Sequence, residues 1–272
     1  MSARPFAALW SLVLALAVPV RAASTPPGVN IRWDNCYADG GVLNRTFACD
    51  TNTGSERLIL SLELASEMAE VSGLEFYMDL GTAAATVPAW WLFKNVGTCR
   101  LTSLGMTVTL PSGAANCEDW SSGQAVSGIG AYNVGSLGLQ TAEIRAVAAV
   151  PPTALINLSP GIEYYAVTFT INHAKTVGTG ACGGCETPMC IFASTVRLTT
   201  PVAGGGIVLN RGANSDSQYA TWQNGLPTDV HRGPCFFPLG ELCQTFHQSF
   251  TCVLASTPTR GSTWGAVKSL YR

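Results

Sequence analysis

The sequence predicts an all-β chain: an antiparallel β-sandwich stapled by disulfides. Three observations predict it. Apolar residues alternate with period two in several short stretches, Gly, Pro and Asn turn signals separate those stretches, and no segment keeps a 3.6-residue apolar period over a dozen residues. The composition agrees with them. Of 272 residues, 47% are hydrophobic and only 12% are charged, about half the usual charged fraction of roughly 25%. Hydroxyls and amides therefore make the surface polar, as in exported β proteins.

The amino terminus agrees with export. Arg4 precedes an apolar run from Phe6 to Val20, and Val20-Arg21-Ala22 offers small residues at both positions read for cleavage. The run is shorter than the roughly 20 residues of a spanning helix. Residues 1–22 read as a signal peptide, 23–257 as one β-sandwich domain, and 258–272 as a basic aromatic tail. Cleavage leaves 13 basic residues against 17 acidic ones. With no basic cluster, nucleic acid is not an expected partner. No later segment is long and apolar enough to span a membrane, so the expected place is outside the cell or on its surface.

In chain order, Asp39-Gly40-Gly41 and Asn52-Thr53-Gly54 are turns. Leu58, Leu60, Leu62 and Leu64 share one face of the first clear strand, and Leu74, Phe76 and Met78 point inward from the next. These two strands form either a hairpin or a sheet-to-sheet pair. Ala65 to Glu70 has room for one helical turn only. The AWWLFKN stretch from Ala89 reads first as core and second as a ligand face, and Trp90, Trp91 and Phe93 cannot all point one way from an extended strand. A strand at 106–110 precedes a Ser, Gly and Ala-rich loop from Pro111 to Gly138. Thr141 to Val150 is a strand stopped by Pro151 and Pro152.

The stretch from Gly161 to Pro201 reads as a long hairpin with a stapled tip. Its first arm places Tyr165, Val167, Phe169 and Ile171 on one face and Thr168, Thr170 and Asn172 on the other. Its second arm places Phe192, Val196 and Leu198 against Thr195, Arg197 and Thr199. Two short strands follow near Ile207 and Tyr219, with Asn224-Gly225 as a turn.

All ten cysteines (Cys36, Cys49, Cys99, Cys117, Cys182, Cys185, Cys190, Cys235, Cys243 and Cys252) lie beyond the cleavage site. An even number in an exported chain reads as a disulfide set. Proximity favours Cys36 with Cys49, Cys99 with Cys117 and Cys243 with Cys252, leaving Cys182 with Cys190 and Cys185 with Cys235. A zinc site of Cys182, Cys185, Cys190 and His173 is the lesser reading, because a second C-x2-C is missing. No cofactor is expected.

Asp50 and Asn52 alternate as calcium ligands do, without the acidic twelfth position of a helix-loop-helix site. His173, His231 and His247 sit in no catalytic motif, and G-x-S-x-G is absent. The close acidic pairs, Glu118-Asp119 and Glu67 with Glu70, read as surface charge. No enzyme is expected. Trp90, Trp91, Trp120 and Trp222 are the candidates for a ligand-binding aromatic face.

The phrases VSGLEFYMDL and GIEYYAVTFTI resemble strands of cohesin-like and other immunoglobulin-like bacterial sandwich modules. CGGCETPMCI, ATWQNG and the ending TPTRGSTWGAVKSLYR resemble a group of uncharacterised bacterial exported proteins. That resemblance implies secretion and no activity. In the tail, Trp264, Val267 and Leu270 fit one stripe of a short helix, either docked on the sandwich or read as an address. The expected function is extracellular binding, of a glycan or another surface protein, or surface structure. The alternative is a carbohydrate-active hydrolase or its accessory module.

Overall fold

A computed structural model describes residues 28–94, 99–135, 137–209, 215–232 and 248–254. The signal segment 1–22 and the tail 258–272 lie outside the described residues, as do Cys235, Cys243 and His247. Sixteen strands are described: β1 (Gly28–Trp33), β2 (Asn44–Arg45), β3 (Ser55–Glu63), β4 (Met68–Val71), β5 (Gly73–Thr82), β6 (Leu104–Thr107), β7 (Cys117–Asp119), β8 (Val126–Val134), β9 (Thr141–Ala149), β10 (Ile156–Leu158), β11 (Glu163–Asn172), β12 (Met189–Thr199), β13 (Ile207–Leu209), β14 (Tyr219–Trp222), β15 (Gly225–Arg232) and β16 (Gln248–Leu254). The chain is all-β, with mainly antiparallel pairing.

Two sheets hold most of the strands. The smaller has the order β1-β3-β11-β6, with β7 also paired to β11; the larger has the order β2-β14-β12-β5-β9-β8, with β13 also on β12. Side chains from both sheets form one apolar cluster: Leu58, Leu60, Leu62, Val167, Phe169 and Ile171 from the smaller, and Leu74, Phe76, Met78, Ile144, Ile191 and Val196 from the larger. Each such side chain stabilises the fold by about 1.5 to 3 kcal/mol when buried. The period-two pattern of β3 and β5 thus reports the core directly, and the two strands are a sheet-to-sheet pair.

The expected hairpin from Gly161 to Pro201 does not form. β11 pairs with β3, β6 and β7, and β12 pairs with β5, β13 and β14, so the two arms belong to opposite sheets. Alternation tells which face of a strand is apolar and says nothing of its neighbour. Two arms with strongly apolar faces bury more by meeting across the core than by lying edge to edge. The segment between them is a crossing from one sheet to the other.

Each arm also carries a bulge. Register shifts between Tyr165 and Val167 on β11, and between Ala193 and Thr195 on β12. An extra residue turns every side chain before it to the other face. Tyr165, expected beside Val167, instead packs with Cys36, Ile59 and Cys117. Its hydroxyl is 3.0 Å from both the Thr107 carbonyl and Thr168 Oγ1, and Thr168 is buried as a result. Phe192, expected beside Val196, packs with Cys190, Tyr219 and Cys252.

Two local expectations also fail. Met68–Val71 is a strand paired with β10, where one helical turn was expected, and the stretch from Pro111 to Gly138 contains β7 and β8. β8 is hidden from a reading based on apolar alternation because its core-facing residues Ile129, Tyr132 and Val134 are put out of phase by the register shift between Ile129 and Ala131.

Four disulfides are described: Cys36–Cys117, Cys49–Cys185, Cys99–Cys182 and Cys190–Cys252, with sequence separations of 81, 136, 83 and 62. None is a local pair, which corrects all five expected pairings; the expected partners Cys235 and Cys243 lie outside the described residues. Loop-closure entropy costs only about 0.6 kcal/mol per doubling of length. That bias is small beside the strand topology that brings these side chains together. Cys99 and Cys49 fasten the crossing segment through Cys182 and Cys185, and Cys252 fastens β16 to β12.

Cystine mapping of the unreduced protein is expected to return these four pairs; a Cys36–Cys49 or Cys99–Cys117 peptide would overturn the fold's connectivity. Phe169→Ala is expected to cost about 3 to 5 kcal/mol in urea unfolding, as large-to-small core changes do, whereas half-buried Thr170→Ala should fall within about 0.5 kcal/mol.

Candidate functional site

The aromatic concentration after Pro88 is core. Ala89–Trp91 forms a single 3-10 turn, and this tighter geometry, unlike a strand, lets Trp90, Trp91 and Phe93 all turn inward. Trp90 stacks on Trp222 at 5.2 Å, Trp91 meets Trp222 edge-on at 5.6 Å, and Trp33 joins at 5.8 Å. Indole N–H groups of Trp90, Trp222 and Trp33 donate to Thr176 Oγ1, the Cys185 carbonyl and the Thr221 carbonyl. Trp90, Trp91, Trp120 and Trp222 are each 0% exposed. None of the four expected ligand-binding rings reaches the surface, so they offer no platform for a sugar.

Arg100 serves this aromatic cluster. Its guanidinium lies 3.6 Å over the Trp90 ring and donates to the carbonyls of Trp90, at 2.9 Å, and of Asn172. Burial lowers its pKa to about 9. Two carbonyls and a ring face hold the charge, tying the segment around Trp90 to the end of β11.

The calcium candidates are not assembled into a site. Asp50 is exposed. Asn52 Oδ1 accepts from the Thr176 and Val177 amides at 2.7 and 3.0 Å, while its amide donates to the Val177 carbonyl; the side chain anchors the crossing segment. Cys182, Cys185 and Cys190 belong to three different disulfides, so no thiolate set exists for the zinc reading. Its fourth member, His173, is buried with Nδ1 2.7 Å from the Thr53 carbonyl and Nε2 3.0 Å from Glu56 Oε1, stacked on Phe47 at 3.9 Å. Glu56 also pairs with Arg45, which reaches Asp34 at 3.0 Å. Among the described residues, the one cluster with metal-ligand spacing is Cys36, Asp39 and Cys117, two of which are bonded to each other.

Among the acids, Glu67, Glu70 and Glu118 are exposed, and Asp119 caps a turn by accepting from Ser121 and Gly123. Sequence reading missed a closer pair. Asp79 on β5 and Glu143 on β9 lie directly opposite in register, and no spacing rule finds two acids that only strand pairing brings together. Ser194 donates to Asp79, while Asn133 and Arg145 donate to Glu143. That hydrogen bond to Glu143 is the main cause that raises the Arg145 pKa. Both carboxylates are fully buried, and a substrate does not reach them.

What the surface does present is the edge of the larger sheet. β8 ends the strand order, and among the described residues no strand pairs its outer edge. Its sequence, VSGIGAYNV, carries no charge. A groove of about 380 Å³ runs along it, lined by Lys94, Leu101, Ile129, Gly130, Ala131 and Tyr132. A second hollow, of about 140 Å³, lies on the outer face between Tyr77, Arg145 and Val147, and also touches Gly130. Val126 is 73% exposed and Leu101 52%. Tyr132 closes the groove floor, its hydroxyl donating to the Trp91 carbonyl at 2.6 Å.

Fold and site together define an all-β, disulfide-stapled chain with two main sheets and, among the described residues, an unpaired sheet edge. No protein-family model, curated protein or solved structure matches the chain.

Burial raises the pKa of Tyr165 to about 12 and that of Tyr132 further. An unfolded tyrosine ionises near 10, so above that pH the unfolded chain sheds protons first. The stability these phenols contribute is complete below about pH 10 and is lost as pH rises toward 12. The urea midpoint is expected to fall between pH 9.5 and 11.5, and to fall less in the Tyr132→Phe, Tyr165→Phe double variant. Equal slopes would place the alkaline loss elsewhere.

Proposed function

We propose that the chain is a secreted, non-enzymatic β-sandwich protein that acts by binding, or as surface structure, outside the cell. The observation that carries this reading is the set of four disulfides joining segments 62 to 136 residues apart. Such cystines persist in oxidising compartments. The 12% charged composition and the apolar run ending before Ala22 agree with it, and among the described residues no helix is long and apolar enough to cross a membrane. An immunoglobulin-like strand arrangement is part of the proposal, supported by the two antiparallel sheets around one core. The hydrolase alternative loses ground because its tryptophans are internal and the in-register acids Asp79 and Glu143 are enclosed.

Expression of the full chain in a bacterial host, followed by fractionation and amino-terminal sequencing, tests the compartment. The expected product starts at Ala23 or Ser24, lies outside the cytoplasm and has no reactive thiols. A reduced, uncleaved cytoplasmic product overturns the reading, and release of sugar from a polysaccharide panel overturns its non-enzymatic part.

A further inference from the structure

Among the described residues, β9 alone pairs with β8, which leaves the other edge of β8 unpaired. A nine-residue edge presents a row of unpaired backbone N–H and C=O groups, and proteins that must not pair there protect it with charge, proline, β-bulges or a covering segment. β8 has a bulge at Gly130 but no charged residue and no proline, and with Val126 73% exposed no described residue covers that end. Two glycines keep the approach open. A Cβ on Gly128 would meet nothing within 4 Å, and one on Gly130 would meet only the Arg145 carbonyl at 3.7 Å. Register shifts at Gly130, between Ile129 and Ala131, and both hollows of this region touch that residue.

The geometry points to β8 as a docking site for an extended peptide strand of another protein, apolar on one face and carrying an acidic residue. Backbone pairing along the edge would supply affinity, and hollows beside it would select alternate side chains, as in strand addition generally. Leu101 and Ile129 suit an apolar side chain. Lys94 selects the acid: it is half-buried at the groove and has no ion-pair partner among the described residues. That charge argues against two occupants drawn from this chain, its tail and the β8 of a second copy. The tail carries Arg260, Lys268 and Arg272, which Lys94 would repel, and a second copy's β8 offers no carboxylate.

This inference rests on the reading of the chain as a binding protein, and one experiment separates them. The secreted protein is panned against a phage-displayed library of random twelve-residue peptides, and the selected peptides are measured on the parent, Gly130→Val and Lys94→Glu forms. Gly130 does not have a positive φ and has room for a side chain, so Gly130→Val should fold and add bulk at the one residue that both hollows touch. Expected are peptides alternating apolar residues around at least one Asp or Glu, amide-exchange protection confined to 126–134, and at least about a tenfold loss of affinity in each variant with an unchanged melting curve. Peptides that protect other strands, or bind both variants as they bind the parent, overturn the strand-addition site and leave the binding reading standing. A dimer by light scattering whose 126–134 amides are already protected, and which Gly130→Val dissociates, overturns the partner in favour of a second copy. If neither this library nor a glycan array returns any ligand, both fall.

Discussion

The fold depends on one constraint: β11 and β12 are central strands of different sheets, and both are buried on both faces for most of their length. A strand flanked by neighbours and covered above and below has no solvent side to give its orientation away. Once the two must face each other across a common core, the chain between Asn172 and Met189 has to cross the molecule. The crossing segment then becomes the place where other loops attach. Cys49, Cys99 and Asn52 all reach it, and Thr176 and Cys185 receive indole N–H groups from Trp90 and Trp222.

Interior charge follows from the same crowding. Glu163 accepts from the Tyr37 and Ala38 amides at 3.0 and 2.7 Å and from Ser61, holding the turn after β1 against β11. Arg100 pulls together the carbonyls of Trp90 and Asn172. Buried charges held by hydrogen bonds add little net stability but penalise alternative arrangements in which those bonds are missing. In a sandwich whose strands carry many small, interchangeable residues, such fixed polar contacts help to define one register.

What could be read from sequence was whatever depends on local alternation. Leu58 to Leu64 and Leu74 to Leu80 lie on the faces that their spacing indicates, because neither stretch contains a bulge. Tyr165 and Phe192 went to the wrong face because one extra residue, indistinguishable in sequence from its neighbours, inverted the phase. The cystines were illegible for a different reason: entropy separates near from distant partners by too little to choose among them, and the choice is made by topology. Trp90 and Trp91 read as core before they read as a ligand face, and the 3-10 turn is what gives them a common inward direction. Asp79 and Glu143 meet only through pairing of β5 with β9, and the open edge of β8 was hidden in a stretch read as loop.

The disulfide pattern has a mechanical consequence. If the chain is pulled from its two ends, tension entering at Cys49 passes to Cys185 through a covalent bond, and tension entering at Cys190 passes to Cys252. The intervening spans, with separations of 136 and 62 residues, cannot straighten, whatever becomes of their hydrogen bonds. At about 3.3 to 3.6 Å per residue, roughly 650 to 710 Å of contour is withheld from extension. Under load the oxidised molecule would behave as a short tether around a nearly inextensible body, and a reducing environment would turn the same sequence into a long, compliant one.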